Sequence, residues 1–116
     1  MSNNTIKNKS FDFAIRMVNS YKYLTSEKKE YVLSKQLLRS GTAIGALVRE
    51  SEHAESKADF IHKMSIALKE ANETEYWILL LYKIDNFEPL AFYSLTHDVK
   101  EKLKLLTTII KKAFIE

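Results

Sequence analysis

Residues 56–82 read SKADFIHKMSIALKEANETEYWILLLY, and the small or apolar positions Phe60, Met64, Ala67, Ala71, Thr74, Ile78 and Leu81 step alternately by four and three. That stepping keeps one seam on one face of an α-helix, and it is too long and regular for a strand. Ser56 and Asp59 stand at capping-box spacing just ahead of the repeat, so the helix is expected to start there. Asp85-Asn86 suits the left-handed turn that ends it, and Pro89 suits the first turn of another helix.

The same period extends to both sides. Leu33, Leu37, Ser40, Ile44, Leu47, Ser51 and Ala54 form one run; Val99, Leu103, Leu106, Ile110 and Ala113 form another, extended backward by Phe92 and Leu95. A shorter run, Phe11, Ala14 with Ile15, Val18 and Tyr21, comes first. Thr25-Ser26-Glu27 separates it from the second, with Ser26 placed to cap the helix that follows. The expectation is an all-α, antiparallel up-down four-helix bundle filling residues 1–116 as a single domain. Its helices are expected near 10–24, 28–55, 57–85 and 89–114, behind a polar N-terminal tail at residues 1–9.

Composition agrees. With two glycines and one proline in 116 residues, collagen-like, low-complexity and turn-rich all-β chains are excluded. The absence of cysteine excludes a disulfide framework, a thiolate-ligated metal and a cysteine nucleophile. Met1 to Ser10 is polar with no apolar segment behind it, and the longest apolar run, Trp77 to Tyr82, is far short of a bilayer span. A cytoplasmic protein without membrane partners is expected.

The net charge of +3 is mild, but its distribution is not even. Residues 1–40 carry eight basic and three acidic side chains, whereas residues 41–80 carry four and seven. On a helical wheel begun at Lys28, the side chains of Lys28, Lys35, Arg39 and His53 fall within about 20° of one line, with Arg49 near by. This stripe points away from the core and is the expected contact for RNA or DNA phosphates. Glu50 interrupts it. Gly41 and Gly45 lie on one shoulder of the same helix, where missing side chains allow another helix to approach closely. Val48, Trp77 and Leu80 flank the apolar seams and need a neighbour to cover them, which predicts self-association.

Few constellations suggest catalysis. Glu50-Ser51-Glu52-His53 contains Glu-x-x-His, half the ligand set of a di-iron bundle, but no second copy exists. Arg49-x-x-x-His53 resembles the Arg and His pair of HEPN ribonucleases with spacing one residue short, and it is the alternative, enzymatic reading. Trp77 with Tyr76 and Tyr82 has the composition of a base-stacking platform but the spacing of core or interface residues. No phosphate loop, Ser-His-Asp arrangement or zinc spacing is present, and neither cofactor nor metal is expected.

Two blocks, residues 34–50 and 56–77, resemble the bacterial four-helix-bundle proteins named for the 23S rRNA intervening sequence. Gln36, Arg39, Ser40, Ile44, Gly45, Glu50, Asp59, Phe60, Ala67, Lys69, Glu70 and Glu73 fall on that family's pattern. The chain departs from it at Ala43, where serine is usual, and at Leu47, where asparagine is common. The resemblance implies a bundle that assembles as a homo-oligomer, often a pentamer. It also implies kinship with the accessory protein of diversity-generating retroelements, a basic pentamer associated with RNA and a reverse transcriptase. It implies structural or interface roles for Gln36, Ser40, Gly45, Glu50, Asp59, Glu70 and Glu73, and no settled activity.

Overall fold

The seam from Phe60 to Leu81 is the inner face of a helix. Met64, Ala67, Ala71, Thr74, Ile78 and Leu81 are all fully buried, and Phe60 packs against their edge. In a computed structural model the helices run Ser2–Ser26 (α1), Leu33–Ser51 (α2), Lys57–Lys83 (α3) and Pro89–Ile115 (α4). The structure describes residues 2–116, with side chains described from residue 5 onward. Each helix packs on the next in chain order and α1 also meets α4, closing an elongated four-helix bundle of 46 × 21 × 19 Å. The described residues contain no strand.

Local chemistry sets the later boundaries as read from sequence. The Ser56 hydroxyl accepts the Asp59 amide at 3.0 Å, and the Asp59 carboxylate accepts the Glu55 amide at 3.1 Å, a reciprocal cap. The Glu55 amide, and then Lys63 one turn on, hold the Asp59 carboxyl below its ordinary value. Asp85 ends α3 with φ 67°, and Pro89 opens α4.

The N-terminal half differs from the reading of the sequence in three ways. Residues 2–9 are the first two turns of α1 rather than a tail. Ile6 is fully buried, and Lys7 and Lys9 reach Glu52 at 3.2 Å and Glu101 at 2.7 Å, so tertiary contacts offset the weak helix propensity of this polar stretch. The start of α2 is Leu33, not Lys28. The chain reverses at Lys29, φ 55°, and the Glu30 carboxylate caps α2 by accepting the amides of Leu33 and Ser34 at 3.0 and 2.6 Å. Ser26 remains the last residue of α1.

Thirdly, α1 buries a different face. Ile6, Ser10, Phe13, Met17 and Leu24 point inward, leaving Phe11, Ile15 and Val18 exposed. The two glycines of α2 explain this rotation. A Cβ on Gly41 would lie 2.3 Å from Met17 Cγ, and one on Gly45 would lie 3.2 Å from the Ser10 carbonyl oxygen. The glycines therefore serve close packing of α1 on α2. In α4 the expected Leu95, Val99, Leu106 and Ala113 are buried, joined by Lys102 and Ile109, while Leu103 and Ile110 pack at the edge of the core. Val48 is buried inside the bundle, and Trp77 and Leu80 are half-buried, so the three residues expected to flank the seams are not its exposed apolar surface.

Gly41→Val is expected to destabilise the bundle by about 2 kcal/mol, because overpacking outweighs the roughly 0.4 kcal/mol gained in helix propensity. Urea unfolding should show that this penalty shrinks by about 1 kcal/mol or more in a Met17→Ala background, since the two side chains compete for one space.

Candidate functional site

Three surfaces gather the residues that could meet a partner. The first is the turn between α1 and α2. Because α2 begins only at Leu33, Lys28 lies outside the helix and joins Lys22, Lys29 and Lys35, all exposed and without an ion pair among the described residues. Exposed Tyr31 and Val32 sit between them in the chain. Glu30 belongs to this turn, but its carboxylate is spent on the α2 amides.

The second surface joins α2 and α3, and five of the twelve family-pattern residues gather here. Arg39 bridges Glu70 at 3.2 Å and Glu73, while the Trp77 indole N–H donates to the same Glu73 carboxylate at 3.0 Å. Gln36 accepts a long, 3.5 Å bond from Arg39. Beneath them the Ser40 and Thr74 hydroxyls are 2.9 Å apart in the core. Trp77, and to a lesser degree Arg39, hold the Glu73 carboxyl below its ordinary value; Glu73, opposed by Arg39's own burial, raises Arg39. Arg39 is thus committed to a salt bridge rather than free for phosphate; Ser40, Glu70 and Glu73 make interhelix contacts, and Gln36 touches Arg39 from within α2. Gly45 and Asp59 have the packing and capping roles already described.

The remaining sequence candidates are dispersed. The Arg49 guanidinium lies 5.3 Å from the centroid of the Phe11 ring, on the α1 side of α2, whereas Arg39 lies on the α3 side. Glu50 is exposed, and its carbonyl accepts the amide of His53, which stands exposed past the end of α2. Among the described residues no three His, Asp or Glu side chains are grouped as a metal site. Lys28 therefore leaves the stripe because it lies outside α2. Lys35, Arg39 and Arg49 stay on the outward side of that helix, Arg39 drawn toward Glu70 and Glu73 of α3 and Arg49 toward Phe11 of α1.

The third surface was invisible to periodicity. Lys102 is 2% exposed, its ammonium bonded to Asp98 and to Glu101 at 3.0 Å, and 5.4 Å from the centroid of the Phe13 ring. Arg16 meets Asp98 at 3.0 Å and Ser94 at 2.9 Å, so the α1–α4 seam is largely ionic. Above it Arg16, Asn19, Tyr23, Phe87, Glu88 and Leu95 line an open cleft of about 340 Å³. Lys9 and Glu101 lie 92 residues apart in sequence, so only charge complementarity, not spacing, could have signalled this seam.

Comparison with known proteins places the chain. The 23S rRNA-intervening sequence protein family matches residues 2–108. A solved structure described as a protein of unknown function from the S23 ribosomal protein family of Bacteroides thetaiotaomicron VPI-5482 is 55% identical, with a TM-score of 0.94; the match covers 96% of this chain and 99% of that one. No curated protein matches. Among the described residues no helix is long and apolar enough to cross a membrane.

Glu73 gives this site a pH signature. Its folded-state pKa is depressed, so its contribution is complete above the unfolded value and is lost as pH falls through the folded one. Trp77 emission should therefore titrate with a midpoint below 4.5, and Arg39→Ala should move that midpoint upward. The same substitution should cost at most about 1 kcal/mol in stability, because Arg39 is half exposed.

Proposed function

The chain belongs to the 23S rRNA-intervening sequence protein family, and from that footing we propose that it is a non-enzymatic, self-assembling scaffold that associates with RNA or DNA through its α1–α2 turn. The observation that carries the nucleic-acid part is the grouping of Lys22, Lys28, Lys29 and Lys35 at that turn, free of ion pairs among the described residues. Glu30 faces the amides of α2, which leaves exposed Glu27 as the acid of the turn set against the four lysines. Flexible, hydrated ammonium groups neutralise phosphate without reading bases, so the association is sequence-tolerant and driven by counterion release. Tyr31 adds an exposed ring on which an unpaired base can stack.

Self-assembly is supported by the apolar area left on α1, where Phe11, Ile15 and Val18 are exposed at i, i+4 and i+7. The enzymatic reading has less support: Arg49 is engaged with Phe11, and His53 lies beyond α2 on open surface.

Single-stranded RNA binding should weaken with a log–log salt slope of about −2, the value for three phosphate contacts. Lys28→Glu, Lys29→Glu and Lys35→Glu together should abolish it while the far-ultraviolet circular dichroism stays unchanged. Wild-type protein that fails to bind RNA or DNA at low salt overturns the nucleic-acid reading. RNA that is cut, with cutting lost in His53→Ala, overturns the non-enzymatic one.

A further inference from the structure

The cleft between α1 and the start of α4 has the make-up of a small ligand site. Its volume of about 340 Å³ is at the lower end for such sites. Two of its walls are aromatic. The Tyr23 and Phe87 rings are parallel to within 10°, with centroids 6.5 Å apart, so a flat ring laid on one is parallel to the other. Asn19, Ser20 and Glu88 line it as well, and among the described residues their side chains have no hydrogen-bond or ion-pair partner. Arg16 is different, its guanidinium held in place by Asp98 and Ser94. A flat apolar wall ringed by unspent donors and acceptors suits a planar heterocycle better than an aliphatic chain.

The cleft opens at the lysine end of the bundle. Tyr23 lies three residues, about 4.5 Å along the axis, before Ser26, the last residue of α1. Lys28 and Lys29 follow directly in the turn, and exposed Lys22 adjoins Tyr23 one turn beyond Asn19. A strand whose phosphates rest on these ammonium groups has the cleft beside it, and an unstacked base can turn in.

We propose that the cleft holds one unpaired guanine of the nucleic acid whose backbone the lysine turn carries. This rests on the nucleic-acid reading above and goes further by naming the base and the groups that meet it. Glu88 decides the base. Guanine alone of the four RNA bases presents two adjacent donors on one edge, N1–H and the 2-amino group, and one carboxylate accepts both. Uracil sets a carbonyl oxygen on each side of its N–H, and a carboxylate repels them. Adenine and cytosine offer one amino group beside a ring-nitrogen acceptor. The Asn19 amide supplies the donor that guanine O6 needs, and the Arg16 cation favours that oxygen. Tyr23 gives the ring its stacking surface. The lysines thus hold any sequence, and the cleft adds a preference for one base.

The test compares single-stranded octauridylate with the same octamer carrying one central guanosine, inosine, adenosine or cytidine, by fluorescence anisotropy. Wild type should bind the guanosine octamer about tenfold more tightly than octauridylate, the effect of one bidentate pair. Inosine lacks the 2-amino group and should lose most of that gain. The preference should persist between about 50 and 200 mM salt while both affinities fall. Glu88 is exposed and its side chain caps nothing, so Glu88→Gln should keep its circular dichroism and its octauridylate binding but lose the preference. Asn19→Ala, also at an exposed position, should reduce the preference and serves if Glu88→Gln does not fold. Guanosine monophosphate alone should bind at least tenfold more weakly than the guanosine octamer, because it cannot span the lysines.

Equal binding of all five octamers by wild type overturns the proposal and leaves the nucleic-acid reading standing. A preference shared by adenosine means stacking without the carboxylate, and a guanosine preference that survives in Glu88→Gln means the base is read elsewhere; either result overturns it too. Guanosine monophosphate that binds as tightly as the octamer makes the cleft a free-nucleotide site and does the same. Wild type that binds no octamer at low salt removes both the proposal and the reading beneath it.

Discussion

The seating of α1 on the glycines of α2 governs the rest of the molecule. Met17 occupies the space that a side chain at Gly41 would fill, and the Ser10 carbonyl comes within 3.2 Å of where a Gly45 Cβ would stand. Two interior glycines cost about 1 kcal/mol each in helix propensity. The return is close approach, which brings Ile6, Phe13, Met17 and Leu24 into the core. A helix has one rotation about its axis, so the same seating turns Phe11, Ile15 and Val18 outward. The core and the outer apolar stripe are two consequences of one contact.

The opposite edge of α1 is held by different physics. Against α4 it presents Lys9 and Arg16 to Glu101 and Asp98, with Lys102 buried between those carboxylates and the Phe13 ring. A buried ammonium is tolerated only when its hydrogen bonds are met, and among the described residues no buried side-chain nitrogen or oxygen lacks a partner. Lys9 and then Lys102 hold the Glu101 carboxyl below its ordinary value. Its stabilising effect is therefore present above the unfolded pKa and fades as pH falls through the folded one. One side of α1 is fixed by steric fit and the other by charge, which makes the α1–α4 seam sensitive to acid.

The surface follows from this division. The α2–α3 side is closed by the Arg39 bridge to Glu70 and Glu73, which withdraws a cation from the exposed set. The α1–α2 turn keeps its lysines because the neighbouring carboxylate of Glu30 is bound to backbone amides.

The sequence by itself determined the helices that rest on local rules. The α3 seam, the Ser56–Asp59 cap, the Asp85 turn and the Pro89 start depend on residues a few positions apart, and period and capping chemistry were sufficient to read them. It also marked Gly41 and Gly45 as places of close approach. Only the tertiary structure decided which face of α1 goes inward, because that helix carries two apolar stripes, Ile6–Phe13–Met17–Leu24 and Phe11–Ile15–Val18, and periodicity cannot choose between them. Burial of Ile6 and the distant partners of Lys7 and Lys9 made a polar stretch helical. The late start of α2 was local, set by the Lys29 turn and the Glu30 cap, whereas distance in sequence hid the Phe13 side of the Lys102 site. Local propensity is summed over neighbours in the chain, whereas these outcomes were settled by groups forty to ninety residues away, whose positions exist only once the bundle has closed.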